Sequence, residues 1–352
     1  MKVVNINTHA IGAGHPPYVV AELSANHNGS FERALRLVEV AAEAGADAVK
    51  LQTYRADTMT IDCDREEFRI NDGLWAGKSL YELYEQAHTP WDWHEPLFSK
   101  ARDLGLTVFS SPFDCSAVDL LEKLNAPAYK IASFELVDLG LIRYAAQTGK
   151  PLILSTGIAT RHEIEEAIAA AGDAGCRELV LLHCVSSYPA AAENYNLQTI
   201  PDMRERFGVP VGLSDHTLDN STAIAATALG ACMIEKHFTL SRSDGGPDDS
   251  FSLEPGDLKA LCQDVRSAWN ALGKPDYELQ PGEKSMVNFR RSLYVVKDMK
   301  TGDVFTEENI RSIRPGYGLS PKYLDKIIGK TATQDIPSGT SLDESMIKGG
   351  VN

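Results

Sequence analysis

The chain has no apolar run long enough to cross a membrane, and no apolar segment follows its first residues, Met-Lys-Val-Val-Asn-Ile-Asn. A transmembrane helix needs about 20 mostly apolar residues, and a secretory signal peptide needs an apolar stretch behind a basic start. We therefore expect a cytoplasmic protein without a membrane span.

Positive charge is also scarce. The 34 lysines and arginines are outnumbered by 49 aspartates and glutamates, which leaves a net charge of −15 at pH 7. This balance argues against a nucleic-acid partner, because a phosphate backbone is bound by a basic surface. An anionic substrate would need positive charge gathered at one site, against the overall negative field of the protein.

Paired cysteines are missing as well. The chain has six cysteines, and none of them forms a CxxC motif. Most lie in apolar stretches, which predicts reduced, buried thiols rather than disulfides or metal ligands.

Short β-rich runs alternate with helical patterns from residue 18 to about residue 272. The predicted strands cover residues 18–23, 47–51, 106–110, 128–132, 151–155, 179–184, 209–214 and 232–237. The predicted helices cover residues 31–44, 93–104, 115–124, 138–148, 160–174, 197–207, 218–229 and 256–272. Eight successive βα units predict an α/β fold of the closed (β/α)₈ or TIM-barrel type. An open doubly wound sheet is the alternative, but the first strand lacks the glycine-rich phosphate-binding turn of such sheets.

The rest of the chain indicates further organisation. The long connection at residues 53–92 contains several aromatics and is expected to form an ordered lid over the active face. We predict a barrel domain at residues 1–275, a linker at 276–287 and a small β-rich domain at 288–352. The small domain contains a repeat, because Asp298–Ile310 recurs as Asp335–Ile347 at an offset of 37 residues. Each copy is typical of a strand, a glycine turn and a short capped helix.

Polar residues end or follow every predicted strand, and the active site of such a barrel lies at the C-terminal strand ends. Alternation along the strands places His216 and His237 on the inner side of two neighbouring strands. Two imidazoles in this position can share a divalent metal, with Glu22 completing the site or holding a bound water. Such a site accepts Mn²⁺, Co²⁺ or Mg²⁺. A purely structural role is the alternative for each histidine, and we expect that role for His27 and His183.

Lys50 and Lys130 are single charges inside otherwise apolar strands. A buried lysine is costly unless it meets an anion, so these two side chains are expected to bind a phosphate and a carboxylate together with Ser133, Ser155 and Ser214. Three alternatives stay open. The lysines could extend to the rim, one of them could form a Schiff base in a metal-free aldolase or lyase, or the barrel could be non-catalytic and the small domain could bind ice or carbohydrate.

The strand ends, taken together, resemble the sialic acid synthase family. The matching segments are collinear and span nearly the whole chain: Val20–Gly29 (VAELSANHNG), Val49–Gln52 (VKLQ), Tyr129–Ser133 (YKIAS), Leu154–Gly157 (LSTG), Leu182–Cys184 (LHC), Gly212–Asn220 (GLSDHTLDN) and Glu235–Phe238 (EKHF). The C-terminal domain is similar to the family's antifreeze-like (SAF, β-clip) domain through Ile313–Gly318 (IRPGYG). Within the family the chain most resembles the branch that makes pseudaminic acid, through Ala87–Trp93, Phe109–Asp114, Ile131–Glu135 and Gly245–Glu254.

This resemblance implies a transferase that condenses phosphoenolpyruvate with an amino sugar and releases phosphate, with a divalent metal at His216 and His237. The branch implies 2,4-diacetamido-2,4,6-trideoxy-altrose as the sugar. The same chemistry on the precursors of N-acetylneuraminic or legionaminic acid is the alternative.

The implied site residues divide into two groups. The catalytic group is Glu22, Glu135, Lys50 and Lys130. The substrate-binding group is Gln52, Ser133, Ser155, Ser186, Tyr188, Ser214, Asp248 and Arg314. Ser186 stands where relatives carry an asparagine that helps to hold phosphate. The resemblance further implies a domain-swapped homodimer in which Arg314 of the small domain acts in the partner's active site.

Overall fold

The computed structural model describes residues 2–351, and it divides into two compact units between Gly273 and Lys274. The first unit begins with a hairpin, β1 (Val3–Ile6) and β2 (His9–Gly12). Eight parallel strands then close into a barrel, which confirms the predicted fold. The barrel strands are β3 (Tyr18–Glu22), β4 (Ala48–Thr53), β5 (Thr107–Pro112), β6 (Tyr129–Ile131), β7 (Leu152–Ser155), β8 (Leu179–Cys184), β9 (Val211–Asp215) and β10 (Met233–His237). Every predicted strand overlaps one of them.

Helices cover the outside of the barrel. They are α1 (Phe31–Ala44), α4 (Trp91–Asp103), α5 (Cys115–Lys123), α6 (Leu139–Ala146), α7 (Arg161–Asp173), α8 (Thr199–Phe207), α9 (Ser221–Ala228) and α10 (Pro255–Leu272). Their ends follow local signals: Ser30 and Thr160 cap α1 and α7 by accepting hydrogen bonds from backbone N–H groups of the first turn. Gly45 ends α1 in the left-handed conformation.

The barrel interior changes character along its axis. Its lower layer is apolar and contains Tyr18, Phe109, Ile153 and Met233, and Ile6 and Ile11 of the hairpin pack against it. The hairpin therefore closes the N-terminal end of the barrel, a feature that the sequence analysis did not predict. The next inward-facing residues towards the C-terminal end are charged or polar. In the described part of the chain, the polar groups of the barrel interior therefore lie at its C-terminal end.

The long connection after β4 is ordered and contains two further helices, α2 (Ala56–Met59) and α3 (Leu80–Ala87). Ser79 begins α3 with a reciprocal pair of hydrogen bonds to Glu82. Trp75 donates its indole N–H to the carbonyl of Pro247 at 2.9 Å, so the connection contacts the segment that follows β10.

The second unit contains the hairpin β11 (Ser292–Val295) and β12 (Ile310–Ile313), and the short helix α11 (Leu324–Ile327). The two copies of the repeat face each other. Asp298 Oδ1 accepts a hydrogen bond from Ser338 N, and Asp335 Oδ1 accepts the equivalent bond from Thr301 N. This is the twofold relation that a tandem repeat allows. The predicted linker, residues 276–287, falls inside this unit and is almost wholly exposed.

All six cysteines are free. Four are buried, whereas Cys63 is half-buried and Cys115 is exposed at the start of α5. The expectation of reduced, mostly buried thiols therefore agrees with the fold. None of the helices within residues 2–351 combines the length and the apolar character needed to cross a membrane.

Candidate active site

Four buried charges meet in the barrel interior, above the apolar layer. They come from β3 (Glu22), β4 (Lys50), β6 (Lys130) and β10 (Glu235). The Lys50 ammonium lies 2.8 Å from Glu22 Oε2 and 3.2 Å from Glu235 Oε1, and the Lys130 ammonium lies 3.0 Å from the same Glu235 oxygen. Two positive and two negative charges thus balance one another where water is excluded.

Burial and pairing pull the pKa values of these groups in opposite directions. Burial raises the pKa of Glu22 and lowers the pKa of Lys130, because each is less stable as an ion away from water. Burial alone would raise the pKa of Glu235, but the two ammonium groups hold it at about 2. Burial alone would lower the pKa of Lys50, but Glu22 and Glu235 raise it. The neighbouring charges therefore favour the charged forms of Lys50 and Glu235.

Glu235 was recognised in the sequence only as a polar strand end, without a role. Its position one inward-facing step before His237 was the available signal. Its partners, however, lie on β4 and β6, and the sequence does not show which strands face one another across a barrel. The predicted lysines are close together, as expected for an anion site, but they are paired with carboxylates in this structure.

A ring of small polar groups lies at the ends of β6, β7 and β8. Gly157 donates its backbone N–H to Ser133 Oγ at 3.1 Å. A methyl group added at Gly157 would collide with Ser186 Oγ and would lie 2.8 Å from Ser133 Oγ and 3.2 Å from Cys184 Sγ. Ser155 is buried and its hydroxyl has no partner among the described residues. Ser133, Ser155, Ser186 and Gly157, called the hydroxyl cradle below, form a site suited to a small anion.

Gly157→Ala is expected to raise the KM for the anionic substrate at least about tenfold, because the added methyl would displace hydroxyls that donate to it. The measurement is steady-state kinetics with each substrate varied in turn. Gly172→Ala is the matched control, since Gly172 lies in α7 with no atom near its added methyl. An unchanged KM in Gly157→Ala would show that the cradle binds nothing.

His216 and His237 lie together at the ends of β9 and β10, with ring centroids 5.5 Å apart. His216 Nδ1 is 2.8 Å from the carbonyl of Val185, which orients the ring, and the ring also contacts the Cys184 thiol. His237 Nδ1 is buried without a partner in the described part of the chain. Burial and the neighbouring His216 lower the pKa of His237 well below its usual value, so its ring is neutral. A neutral imidazole with an unused nitrogen is suited to bind a metal ion.

Glu22, the predicted third ligand, is engaged elsewhere. Its Oε1 accepts hydrogen bonds from Ser24 N and from Gln52 Nε2, at 3.0 and 3.1 Å, and its Oε2 faces Lys50. Residues 2–351 contain no group of three or more His, Cys, Asp or Glu side chains arranged to hold a metal. The two imidazoles are therefore the protein groups suited to a cation, and its other ligands would have to be water or substrate.

A third buried lysine, Lys236, positions His216 from outside the barrel. The Lys236 ammonium is 2.8 Å from Asp215 Oδ2 and donates to the carbonyls of Thr217 and Asp219, at 2.8 and 2.7 Å. These bonds fix the turn that follows β9 and therefore the direction of the His216 side chain. Asp215 supports this turn through its ion pair with Lys236.

Aromatic rings line one side of the histidine pair. The Tyr188 ring lies 4.4 Å from that of His216 and 5.1 Å from that of Phe251, centroid to centroid. Phe251 lies 5.0 Å from His237. The Trp75 ring, from the long connection, lies 6.1 Å from that of Tyr188. Of these rings, only Tyr188 was predicted as a site residue.

The segment after β10 brings Asp248 to the same place. Asp248 accepts a hydrogen bond from the Ser24 hydroxyl, and Gln52 Nε2 also donates to that hydroxyl at 3.0 Å. The buried carboxylate of Asp249 anchors the segment, accepting from Asn28 Nδ2 at 2.8 Å and from Gly246 N at 2.7 Å. Asp248 and Gln52, predicted to contact substrate, are thus joined through Ser24.

Glu135 lies in the turn that follows β6, and its Oε2 is buried without a partner in the described residues. Burial raises the pKa of Glu135 to about 7, with Lys130 opposing the shift. A carboxyl group with such a pKa can both hold and release a proton near neutral pH. Glu135 differs from Glu22 in its contacts, because the Glu22 carboxylate is paired with Lys50.

The remaining predicted residues occupy different places. Ser214 lies beside the ion cluster, where its hydroxyl is 3.4 Å from Glu235 Oε1. His183 contacts the carbonyl of Tyr195, and His27 packs its ring edge-on against Trp93 at 5.5 Å. Arg314 is exposed at the end of β12 in the second unit and forms no ion pair within residues 2–351.

A closed parallel barrel with a buried ion cluster, an anion cradle and a pair of histidines at its C-terminal rim defines a TIM-barrel enzyme with a site for an anionic substrate. The model of the NeuB family matches residues 37–277, and the model of the SAF domain matches residues 290–348. The chain belongs to the NeuB family.

Individual relatives agree with this assignment. The chain is 44% identical to a pseudaminic acid synthase of Campylobacter jejuni, over 98% of this chain and 99% of the relative. It is 45% identical to a pseudaminic acid synthase of Helicobacter pylori, over 95% and 98%. The crystal structure of an N-acetylneuraminic acid synthetase from Leptospira borgpetersenii superposes with a TM-score of 0.72 at 29% identity, covering 81% of this chain and 95% of the other.

Proposed function

We propose that this enzyme is a pseudaminic acid synthase, which condenses phosphoenolpyruvate with 2,4-diacetamido-2,4,6-trideoxy-altrose and releases phosphate. Near-complete coverage of relatives with this activity supports the choice of sugar. The observation that carries the chemistry is the meeting of Lys50 and Lys130 at Glu235, one inward-facing position before His237 on β10. This arrangement would bind phosphoenolpyruvate, the anion, at the lysines and the sugar aldehyde, the electrophile, beside it at the histidines.

Phosphoenolpyruvate is held by the lysines and by the cradle. Both ammonium groups are almost fully buried, so an anion that reaches them gains strong, poorly screened attraction. The hydroxyls of Ser133, Ser155 and Ser186 are the hydrogen-bond donors for its phosphate, and the Gly157 N–H orients that of Ser133. Ser214 and Lys130 are the donors for its carboxylate. Glu22 and Glu235 balance the two ammonium groups in this structure, so the bound anion has to compete with these carboxylates for the lysines.

His216 and His237 hold a divalent cation, Mn²⁺, Co²⁺ or Mg²⁺, in this proposal. When bound, the ion supplies Lewis-acid activation of the sugar aldehyde. The unpartnered Nδ1 of His237 fits this role, and the His216 nitrogen that does not face the Val185 carbonyl is the second candidate ligand. The Val185 carbonyl and the Lys236 network keep the His216 ring in place.

The reaction joins C3 of phosphoenolpyruvate to C1 of the sugar, adds water at C2 and breaks the C–O bond to phosphate. Glu22 and Glu135 are the carboxylates that orient or deprotonate the water. Glu135, with a pKa near 7 and an unused oxygen, is the better proton acceptor of the two. Gln52, Tyr188 and Asp248 bind the sugar, since they lie beside the histidines.

We further propose that Arg314 completes the site in a domain-swapped homodimer. Arg314 is exposed, and Phe289, Ile313 and Tyr317 in the same unit are exposed apolar side chains. An arginine with apolar neighbours and no ion pair in the described residues is available to a partner. Its planar group of donors suits the amide of an acetamido sugar.

Arg314→Ala is expected to raise the KM for the sugar about tenfold or more while leaving the barrel folded, because a hydrogen bond to a charged donor is lost. Arg311→Ala is the matched control, since Arg311 is an exposed arginine of β12, three residues before Arg314. Mixing Arg314→Ala with an inactive Lys130→Met chain should restore turnover, because one mixed-dimer site then has an intact barrel and an intact arginine. Full activity of Arg314→Ala, or no recovery on mixing, would contradict action in trans.

The function is tested by phosphate release from phosphoenolpyruvate with three sugars: the diacetamido altrose, the legionaminic acid precursor and N-acetylmannosamine. The expected result is the highest kcat/KM with the altrose. Preference for another sugar would retain the chemistry and reject the proposed product. Borohydride trapping of a lysine adduct, with no phosphate release, would instead identify a Schiff-base aldolase.

A further inference from the structure

A row of aromatic rings leads away from the histidine pair. Tyr188 packs on His216, and Trp75 packs on Tyr188, with centroid distances of 4.4 and 6.1 Å. The proposed function puts the aldehyde carbon of the sugar at the histidines, and the inference below requires the other end of the sugar, C6, to extend along these rings to Trp75.

Trp75 offers this end of the substrate an apolar surface. Its single polar atom, the indole Nε1, is already engaged with the Pro247 carbonyl at 2.9 Å. Pro247 directly precedes Asp248, so the same hydrogen bond ties the long connection to the segment that carries a sugar ligand. The ring consequently has no free donor for a hydroxyl group, but it has a face on which a methyl group can pack.

We propose that Trp75 is a specificity-determining residue that favours a sugar with a C6 methyl group over one with a C6 hydroxymethyl group. The inference rests on the proposed function and extends it to one position of the substrate. A hydroxyl placed against Trp75 would lose its water without gaining a partner, whereas a methyl group would bury apolar area. A difference of this kind is worth about 10- to 200-fold in kcat/KM.

The test compares two sugars that differ only at C6: the diacetamido trideoxy-altrose and its 6-hydroxy counterpart. Their kcat/KM values are measured in the wild type, Trp75→Phe and Trp75→Ser. If the 6-hydroxy sugar turns over too slowly, its inhibition constant against the 6-deoxy sugar replaces its KM. Trp75→Ser is expected to lower the preference at least about tenfold, through KM of the 6-deoxy sugar. Trp75→Phe keeps an apolar ring and is expected to retain most of the preference.

Trp269→Phe is the matched control, because Trp269 lies in α10, away from the site. A purely structural role of Trp75 would lower kcat/KM for both sugars in parallel and leave their ratio unchanged in Trp75→Ser. That result, or a wild type with no preference at C6, would overturn the inference alone. A wild type that releases no phosphate with either sugar would overturn the proposed function and the inference with it.

Discussion

Replacing Lys50 with methionine is expected to lower the free energy of unfolding by about 3–5 kcal/mol, because Glu22 and Glu235 lose the cation between them. Methionine has nearly the same length, so the loss reports charge rather than volume. Turnover should fall by about a hundredfold or more, with a higher KM for phosphoenolpyruvate, since a charge-assisted contact to the anion is removed. Urea unfolding and phosphate release measure the two effects.

Lys236→Met is the matched control for this substitution. Lys236 is equally buried and paired with Asp215, but it faces away from the barrel interior. Its loss should cost comparable stability and lower kcat through the His216 turn, without raising the KM for phosphoenolpyruvate. The double variant Lys50→Met/Glu22→Gln should regain part of the stability but no turnover. An unchanged KM for phosphoenolpyruvate in Lys50→Met would contradict an anion site at this lysine.

Removing the metal with EDTA is expected to abolish phosphate release, and added Mn²⁺ should restore it. His237→Asn should lower kcat roughly 10³-fold and prevent this recovery, because the loss of a bound Lewis acid removes several kcal/mol of transition-state stabilisation. Metal content by mass spectrometry and activity after EDTA and Mn²⁺ treatment are the measurements.

His183→Asn is the corresponding control, since His183 ends the neighbouring strand β8 but bonds to the Tyr195 carbonyl. It should keep both the metal and most of the activity. A full rate in EDTA-treated wild type would exclude a metal on His216 and His237 and would favour the Schiff-base alternative at Lys50 or Lys130.

Sequence periodicity was sufficient for the barrel and for most of the inward-facing residues. The alternation along two neighbouring strands placed His216 and His237 on the inner side, and β9 and β10 are paired in the closed barrel. It did not predict the hairpin that closes the barrel floor, because two strands of four residues each carry too short a pattern to recognise. The helix at Leu80–Ala87 was missed in the same way, although Ser79 and Glu82 form its capping box.

What the sequence by itself determined is the order of strands and helices, the inner side of each strand and the end of the barrel that carries polar groups, because these follow from local periodicity. Only the tertiary structure decided which groups pair there. Lys130 and Glu235 are 105 residues apart, and Trp75 and Pro247 are 172 apart. These contacts depend on which strands face one another across the closed barrel and on which loops meet at its rim. The sequence pattern around a single residue shows neither of these.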